Sequence, residues 1–276
     1  MINYIKSNVK ELLSNRVERR VREKYIDIHC HCLPCMDDGP TNISEAVILC
    51  QALAADGIYT AVATPHQLGR YEGRNKSKDV REVVQNLNET LRSRGVSIEI
   101  VPGGEVRVDE RICRLLETDE ILTLADGGKY ILLELPHQVF IDIEPLLQEL
   151  VSIGIQPVIS HVERIAALLK QPKVLRRWIE HSANLQITAS SLLGIFGREA
   201  EKAAWDFLTS GWVSYVATDS HDIYSRRPQM RAAYNRIKMR LGENIANQVC
   251  FENPLRVING QEIISISNRV KQEMEL

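Results

Sequence analysis

The sequence predicts a single α/β domain, a (β/α) barrel preceded by a separate N-terminal helix. Three observations lead to it. Short apolar runs end in histidine or carboxylate residues, amphipathic helical segments alternate with those runs, and no repeat or linker divides the 276-residue chain. Strands that deliver ligating side chains from a common end describe a barrel mouth.

Residues 1–24 form the first element. Ile2, Ile5, Val9, Leu12, Leu13, Val17 and Val21 recur at helical spacing. Seven basic residues against three acidic ones give this segment +4, which leaves −6 on the remainder of a chain whose net charge is −2. Its apolar stripe needs a partner. The expectation is packing on the barrel or on a second subunit, as in a homo-oligomer; a basic amphipathic helix on a membrane surface is the alternative.

The barrel is assigned to residues 25–276. Its first run is Tyr25–His31, followed by a helix over Ser44–Asp56 with Ser44 as N-cap and Gly57 closing it. Tyr59–His66 is the second run, and Lys76–Arg94 a long helix stopped by Gly95. The runs Ile98–Glu105 and Tyr130–Glu134 follow, then a helix over Asp142–Ile153 ending at Gly154. Pro157–His161, a helix over Val174–Ser182, the strand Leu185–Thr188 and a helix over Glu199–Thr209 continue the alternation. Val213–His221 and a helix over Gln229–Leu241 complete it. These make six or seven βα units, with function expected at the strand C-termini.

Composition narrows the class. An apolar fraction of 44% and a charged fraction of 25% suit a large core. The small net charge gives no nucleic-acid signature. No apolar run approaches the ~20 residues needed to span a bilayer and no signal-peptide pattern opens the chain, so a cytoplasmic location is expected. Six cysteines without a secretory signal read as reduced thiols. Cys30 points away from the face shared by His29 and His31, and Cys32 and Cys35 are weak ligand candidates.

His29 and His31 are two apart on a strand, so both imidazoles project to one face, and Asp219 with His221 repeats the spacing. His66, His161, Glu105 and Glu134 stand at analogous ends. That set points to a metal-dependent hydrolase. His137 and His181 read as structural, His181 by meeting a helix dipole.

Asp27-Ile28-His29-Cys30-His31, Met36-Asp37-Asp38-Gly39-Pro40, Thr64-Pro65-His66 and Gly103-Gly104-Glu105 resemble the PHP (polymerase and histidinol phosphatase) superfamily. Ser160-His161-Val162-Glu163-Arg164, and Asp219-Ser220-His221 followed by Arg226, are similar to the bacterial tyrosine-protein phosphatases of capsule and exopolysaccharide clusters. The likeness covers about 25–258, including Glu252-Asn253-Pro254. It implies a distorted TIM-like (β/α)7 barrel of the PHP type and three divalent metal ions. The first would be held by His29, His31, Glu105 and Asp219, the second by Glu105, Glu134 and His161, and the third by Asp38, His66 and His221. Glu105 bridges the first two, and His137 competes with Glu134. The resemblance favours manganese; the residue types also admit iron, zinc, cobalt or magnesium.

Three divalent ions outweigh the carboxylates of Asp38, Glu105, Glu134 and Asp219, so the pocket favours a phosphate dianion. Metal coordination lowers the pKa of water to about 7 and so supplies hydroxide for attack on phosphorus. Arg164 and Arg226 suit a phosphoryl clamp, as catalytic and phosphate-binding groups; Arg227 competes for the second place. The implied substrate is a phosphotyrosine protein, the tail of a kinase that controls polysaccharide export. Three rivals remain: a histidinol-phosphate phosphatase, a PHP-type nuclease that the missing basic groove disfavours, and a non-catalytic docking regulator of the kinase. Cys250 to Arg256 has the Cys-x5-Arg spacing of cysteine-dependent phosphatases, but without glycine and with Pro254 and Glu252 it makes a poor phosphate loop.

Overall fold

Parallel strand segments rich in buried aliphatic residues make the frame. The computed structural model describes residues 24–265, so the helix expected over residues 1–24 lies, apart from Lys24, outside the described residues. Segments β1 (Tyr25–Cys30), β2 (Ile58–Ala63) and β4 (Glu99–Pro102) pair in the order β1-β2-β4. Segments β3 (His66–Gln67), β5 (Glu105–Arg107), β6 (Tyr130–Glu134), β7 (Gln156–Ile159), β8 (Asn184–Thr188) and β9 (Val213–Ala217) pair in that order. The helices are α1 (Ile43–Ala55), α2 (Ser77–Ser93), α3 (Ile112–Glu117), α4 (Glu144–Ser152), α5 (Ala166–Leu169) and α6 (Pro172–Glu180). After them come α7 (Ala189–Leu192), α8 (Arg198–Thr209), α9 (Met230–Leu241), α10 (Glu243–Asn247) and α11 (Asn253–Ile258).

The second and third runs, Tyr59–His66 and Ile98–Glu105, each read from the sequence as unbroken, are interrupted. β2 passes into β3 through Thr64-Pro65, and β4 into β5 through Gly103-Gly104. Pro65 has no N–H to give the ladder, and its carbonyl accepts from the Glu105 N–H at 3.2 Å. A Cβ on Gly103 would lie 2.6 Å from Val62 Cγ1, and one on Gly104 2.1 Å from Gln67 Oε1. The two paths bend past each other where only glycine fits. Counted as continuous paths, the segments occupy seven positions around the molecule. The Asp219 N–H donates to the His29 carbonyl at 2.8 Å and the His31 N–H to the Ser220 carbonyl at 2.9 Å, which joins the last strand to the first. The closed frame is a distorted (β/α)7 barrel.

Ile26, Ile28, Val62, Tyr130, Leu132, Val158, Tyr215 and Ala217 fill the inside, with Val257 of α11 packed on them; a second cluster lies between strands and helices. Ile26 and Ile28 belong to the inner set and Cys30 to the outer one. The register with β2 slips between Asp27 and Cys30, and this irregularity turns His29 and His31 inward. Asp27 fastens the closure: its carboxylate accepts from the Thr218 N–H at 2.9 Å, from the Thr218 hydroxyl and from the His29 N–H at 3.3 Å. Burial pushes its pKa up to about 6.

Helix positions match the sequence reading with small corrections. Asn42, not Ser44, caps α1, its side chain accepting from the Glu45 N–H at 3.0 Å. Helix α6 starts at Pro172, because proline suits a first helical turn, and ends at Glu180. The short helices α3, α5, α7, α10 and α11 have no counterpart in the sequence reading.

Candidate metal centre

Inward positions of the barrel turn from apolar to ligating toward the strand C-termini. Leu132 is followed two residues later by Glu134, and Glu105 pairs in register with His66 and Leu132. Asp219 and His221 do not share a strand face as the spacing suggested, because β9 ends at Ala217. Asp219 instead has φ 52°, and His161 at the end of β7 has φ 33°. Left-handed backbone is uncommon for side-chain-bearing residues, and it re-aims both groups into the mouth.

His29, His31, Glu105 and Asp219 meet in one cage. The two Nε2 atoms are 3.1 Å apart. Glu105 Oε2 is 3.3 and 3.4 Å from them, and Asp219 Oδ1 is 3.4 and 3.5 Å. Each imidazole has its other nitrogen engaged: His29 Nδ1 on Gln186 Oε1 at 3.0 Å, His31 Nδ1 on Asp37 Oδ2 at 2.6 Å. Nδ1 is thus the donor in each ring and Nε2 turns inward. Burial opposes charge on both imidazoles, but the carboxylates of Glu105 and Asp219 beside His29, and of Asp37 and Glu105 beside His31, outweigh it and raise the pKa of both. Both Glu105 oxygens and Asp219 Oδ1 are buried without a hydrogen bond. Buried acceptors in this number call for a cation, and the spacings suit ligands of a first-row ion with bonds of about 2.0–2.2 Å.

Glu105 reaches a second group through its other oxygen, with Oε1 2.9 Å from His161 Nε2. His161, Glu134 and His137 also offer atoms within ligand distance of one another. Beyond them, Asp38 Oδ1 lies 3.4 Å from both His66 Nε2 and His221 Nε2. His221 Nδ1 bonds the Asp219 carbonyl at 3.1 Å, leaving Nε2 without a hydrogen bond. Burial lowers the pKa of His161 and of His221 to about 4, so both are neutral, ligand-competent imidazoles at pH 7. All nine expected ligands are therefore brought to one mouth. Cysteine takes no part in any candidate group among the described residues. Cys30 and Cys32 are buried, and the Cys35 thiol bonds the Thr41 carbonyl.

Arg164 Nη1 and Arg226 Nη2 converge on Asp219 Oδ2 at 2.5 and 2.6 Å, the oxygen turned away from the histidine pair. Both line a cavity of about 410 Å3 together with Asp38, His66, Glu134 and His161. Arg227 is exposed and absent from that lining. The Cys250–Arg256 segment is no phosphate loop: Gln248–Glu252 is a π-helical turn leading into α11, and burial pushes the Cys250 thiol well up.

Several residues escaped the sequence reading. Asp37 accepts from His31 and from the backbone N–H groups of His66 and Gly39, at 3.1 and 3.0 Å. Burial opposes its charge, but His31 and the Gly39 N–H outweigh it and lower its pKa to about 2. His137, read both as structural and as a competitor of Glu134, was not among these: it stacks on His161 at 5.3 Å and lines the cavity. Gln186 is the polar inward residue of β8, a signal visible in the alternation Asn184, Gln186, Thr188 against Leu185 and Ile187. Arg107, with Nη1 3.3 Å from Glu134, and the Arg70–Tyr71 pair lie on the cavity wall and carried no motif.

Comparison with known proteins identifies relatives of the whole barrel. The tyrosine-protein phosphatase YwqE of Bacillus subtilis is 32% identical over 240 residues, covering 86% of this chain and 93% of YwqE. The tyrosine-protein phosphatase CpsB of Streptococcus pneumoniae is 31% identical over 245 residues, covering 86% of this chain and 100% of CpsB. A crystal structure from work on YwqE and CpsB, described as unique metal-dependent tyrosine phosphatases, superposes with a TM-score of 0.84 at 31% identity, over 88% of this chain and 97% of its own. A Listeria monocytogenes lactonase, at 11% identity and a TM-score of 0.53 over 88% of this chain and 97% of its own, shares the fold alone. The family model for capsular polysaccharide synthesis, CpsB/CapC, matches residues 25–259, from the first strand through the helix that plugs the barrel, and the chain belongs to that family.

Proposed function

We propose that this chain is a metal-dependent protein-tyrosine phosphatase acting on a kinase that regulates capsule or exopolysaccharide synthesis, in the cytoplasm. The observation that carries the reading is the set of buried carboxylate oxygens of Glu105 and Asp219 that face histidine nitrogens without a hydrogen bond, bordered by two arginines at the mouth of a cavity. His29, His31, Glu105 and Asp219 would hold one divalent ion, Glu105, Glu134 and His161 a second, and Asp38, His66 and His221 a third. Glu105 is suited to bridging because its oxygens face different histidines. Manganese is the metal favoured by this reading, with iron, zinc, cobalt and magnesium as competitors. Bound there, such ions supply a water activated near neutral pH and a counter-charge for the phosphoryl group.

The protein's own groups do the rest. Gln186 and Asp37 fix the rings of His29 and His31 so that Nε2 faces inward. Arg164 and Arg226, already beside Asp219, are placed to hold the oxygens of a phosphate entering the cavity; Phe196, 4.3 Å from the Arg164 guanidinium, keeps that side chain in position. Among the described residues no helix is long and apolar enough to cross a membrane. The substrate assignment is tested by comparing kcat/KM on a phosphotyrosine peptide, its phosphoserine counterpart and histidinol phosphate. Preference for phosphotyrosine is expected. Preference for histidinol phosphate would replace the protein substrate, and no turnover of any of the three would leave a docking role.

A further inference from the structure

We propose that Arg70 recognises an acidic residue flanking the phosphotyrosine of a protein substrate, an inference that rests on the phosphatase reading above. Leu68, Gly69, Arg70, Tyr71 and Arg107 form a stretch of cavity wall that contains no candidate metal ligand. It is a built wall. The Tyr71 N–H donates to the Leu68 carbonyl at 2.9 Å and the Glu72 N–H to the Gly69 carbonyl at 3.1 Å. Leu68 and Gly69 take φ of 67° and 56°, a conformation that a leucine adopts only when its surroundings impose it. A Cβ on Gly69 would meet Arg107 Cγ at 3.0 Å, so the turn is seated against the Arg107 stem. The Tyr71 ring stacks on His66 with centroids 5.3 Å apart and planes at 15°. The Arg70 guanidinium lies 4.9 Å over the Tyr71 ring, and its Nη2 donates to the Tyr71 hydroxyl at 2.6 Å. A stack of Arg70, Tyr71 and His66 therefore leads from solvent to the candidate metal centre.

Charge completes the argument. Four arginines line this cavity. Arg164 and Arg226 sit on Asp219, and Arg107 on Glu134. Among the described residues Arg70 has no carboxylate at ion-pair distance, and it is exposed at the rim. A guanidinium already ordered by Tyr71, with no carboxylate paired to it, fits an anion arriving with the substrate. Its place at the rim suits what surrounds the reacting group, while Arg164 and Arg226 face the phosphate. A planar carboxylate on the peptide matches a planar guanidinium. A rim charge acts on encounter and binding, so the effect belongs mainly in KM and weakens with salt.

The test uses three phosphotyrosine peptides that differ only in having Glu, Gln or Lys beside the phosphotyrosine. Each is assayed at low and high salt with the wild type, Arg70→Glu and Arg70→Lys. The wild type is expected to favour Glu over Lys by about tenfold in kcat/KM, chiefly through KM, with the ratio shrinking at high salt. Arg70→Lys should keep the order with a smaller ratio, and Arg70→Glu should reverse it. The Glu-to-Lys ratio within one enzyme cancels any loss common to all substrates. An unchanged ratio in Arg70→Glu, or no preference in the wild type, would overturn the role of Arg70 and leave the phosphatase reading intact. No turnover of any peptide by the wild type would overturn both.

Discussion

Glu105 is buried among four histidines, with both oxygens facing imidazole nitrogen. Burial opposes its charge, yet His29 and His161 keep its pKa well below that of an ordinary glutamate. An amide in its place loses the charge that offsets two neighbouring cations. Glu105→Gln should lower kcat by about 10²–10³-fold and reduce metal content by elemental analysis. Glu99, exposed at the start of β4, is the control, and Glu99→Gln should match the wild type. For the arginines the expectation is different: Arg164→Ala and Arg226→Ala should retain metal but lose at least about tenfold in kcat/KM, roughly 1.4 kcal/mol of transition-state stabilisation. Arg227→Ala should change nothing; a loss confined to Arg227 would transfer the role to it. At this scale the sequence was readable wherever a ligand ended an apolar run. It marked Gln186 as an inward polar residue but not its partner, because orienting a histidine depends on tertiary contacts, 157 residues apart in the pair His29 and Gln186; the role of Asp37 was likewise not legible. The left-handed backbone at His161 and Asp219 was equally hidden, since strand spacing alone suggests that side chains keep alternating.

Elements were legible where punctuation was strong. Gly57, Gly95, Gly154 and Gly211 each take positive φ just beyond a helix, as their positions in the sequence imply. The break between β4 and β5 was not legible, because Gly103-Gly104 acts by admitting Val62 and Gln67, which are remote in sequence. Helical context also decides the status of Cys250. In a buried π-helical turn its thiol is held protonated and its backbone N–H groups are not turned toward an anion. Cys250→Ser should therefore keep full activity per folded molecule. It should also lower the melting temperature, because a buried hydroxyl without an assured partner costs about 1–3 kcal/mol. Lost activity with intact metal content and folding would reinstate a thiol mechanism.

For the whole molecule, the alternation of apolar runs and helices was enough to predict a barrel, and the count of seven paths follows once the broken strands are joined. Closure could not be read, because it rests on backbone bonds between His29, His31, Asp219 and Ser220 and on the buried Asp27 beneath them. That same closure brings ligands from both ends of the chain into one cage, so the architecture and the proposed chemistry depend on the same joint. The most direct test is turnover of a phosphotyrosine peptide by the chain stripped with a chelator and then titrated with manganese. The account predicts no turnover when stripped and recovery that saturates as up to three ions bind per chain. Undiminished hydrolysis by protein shown to be metal-free would contradict it.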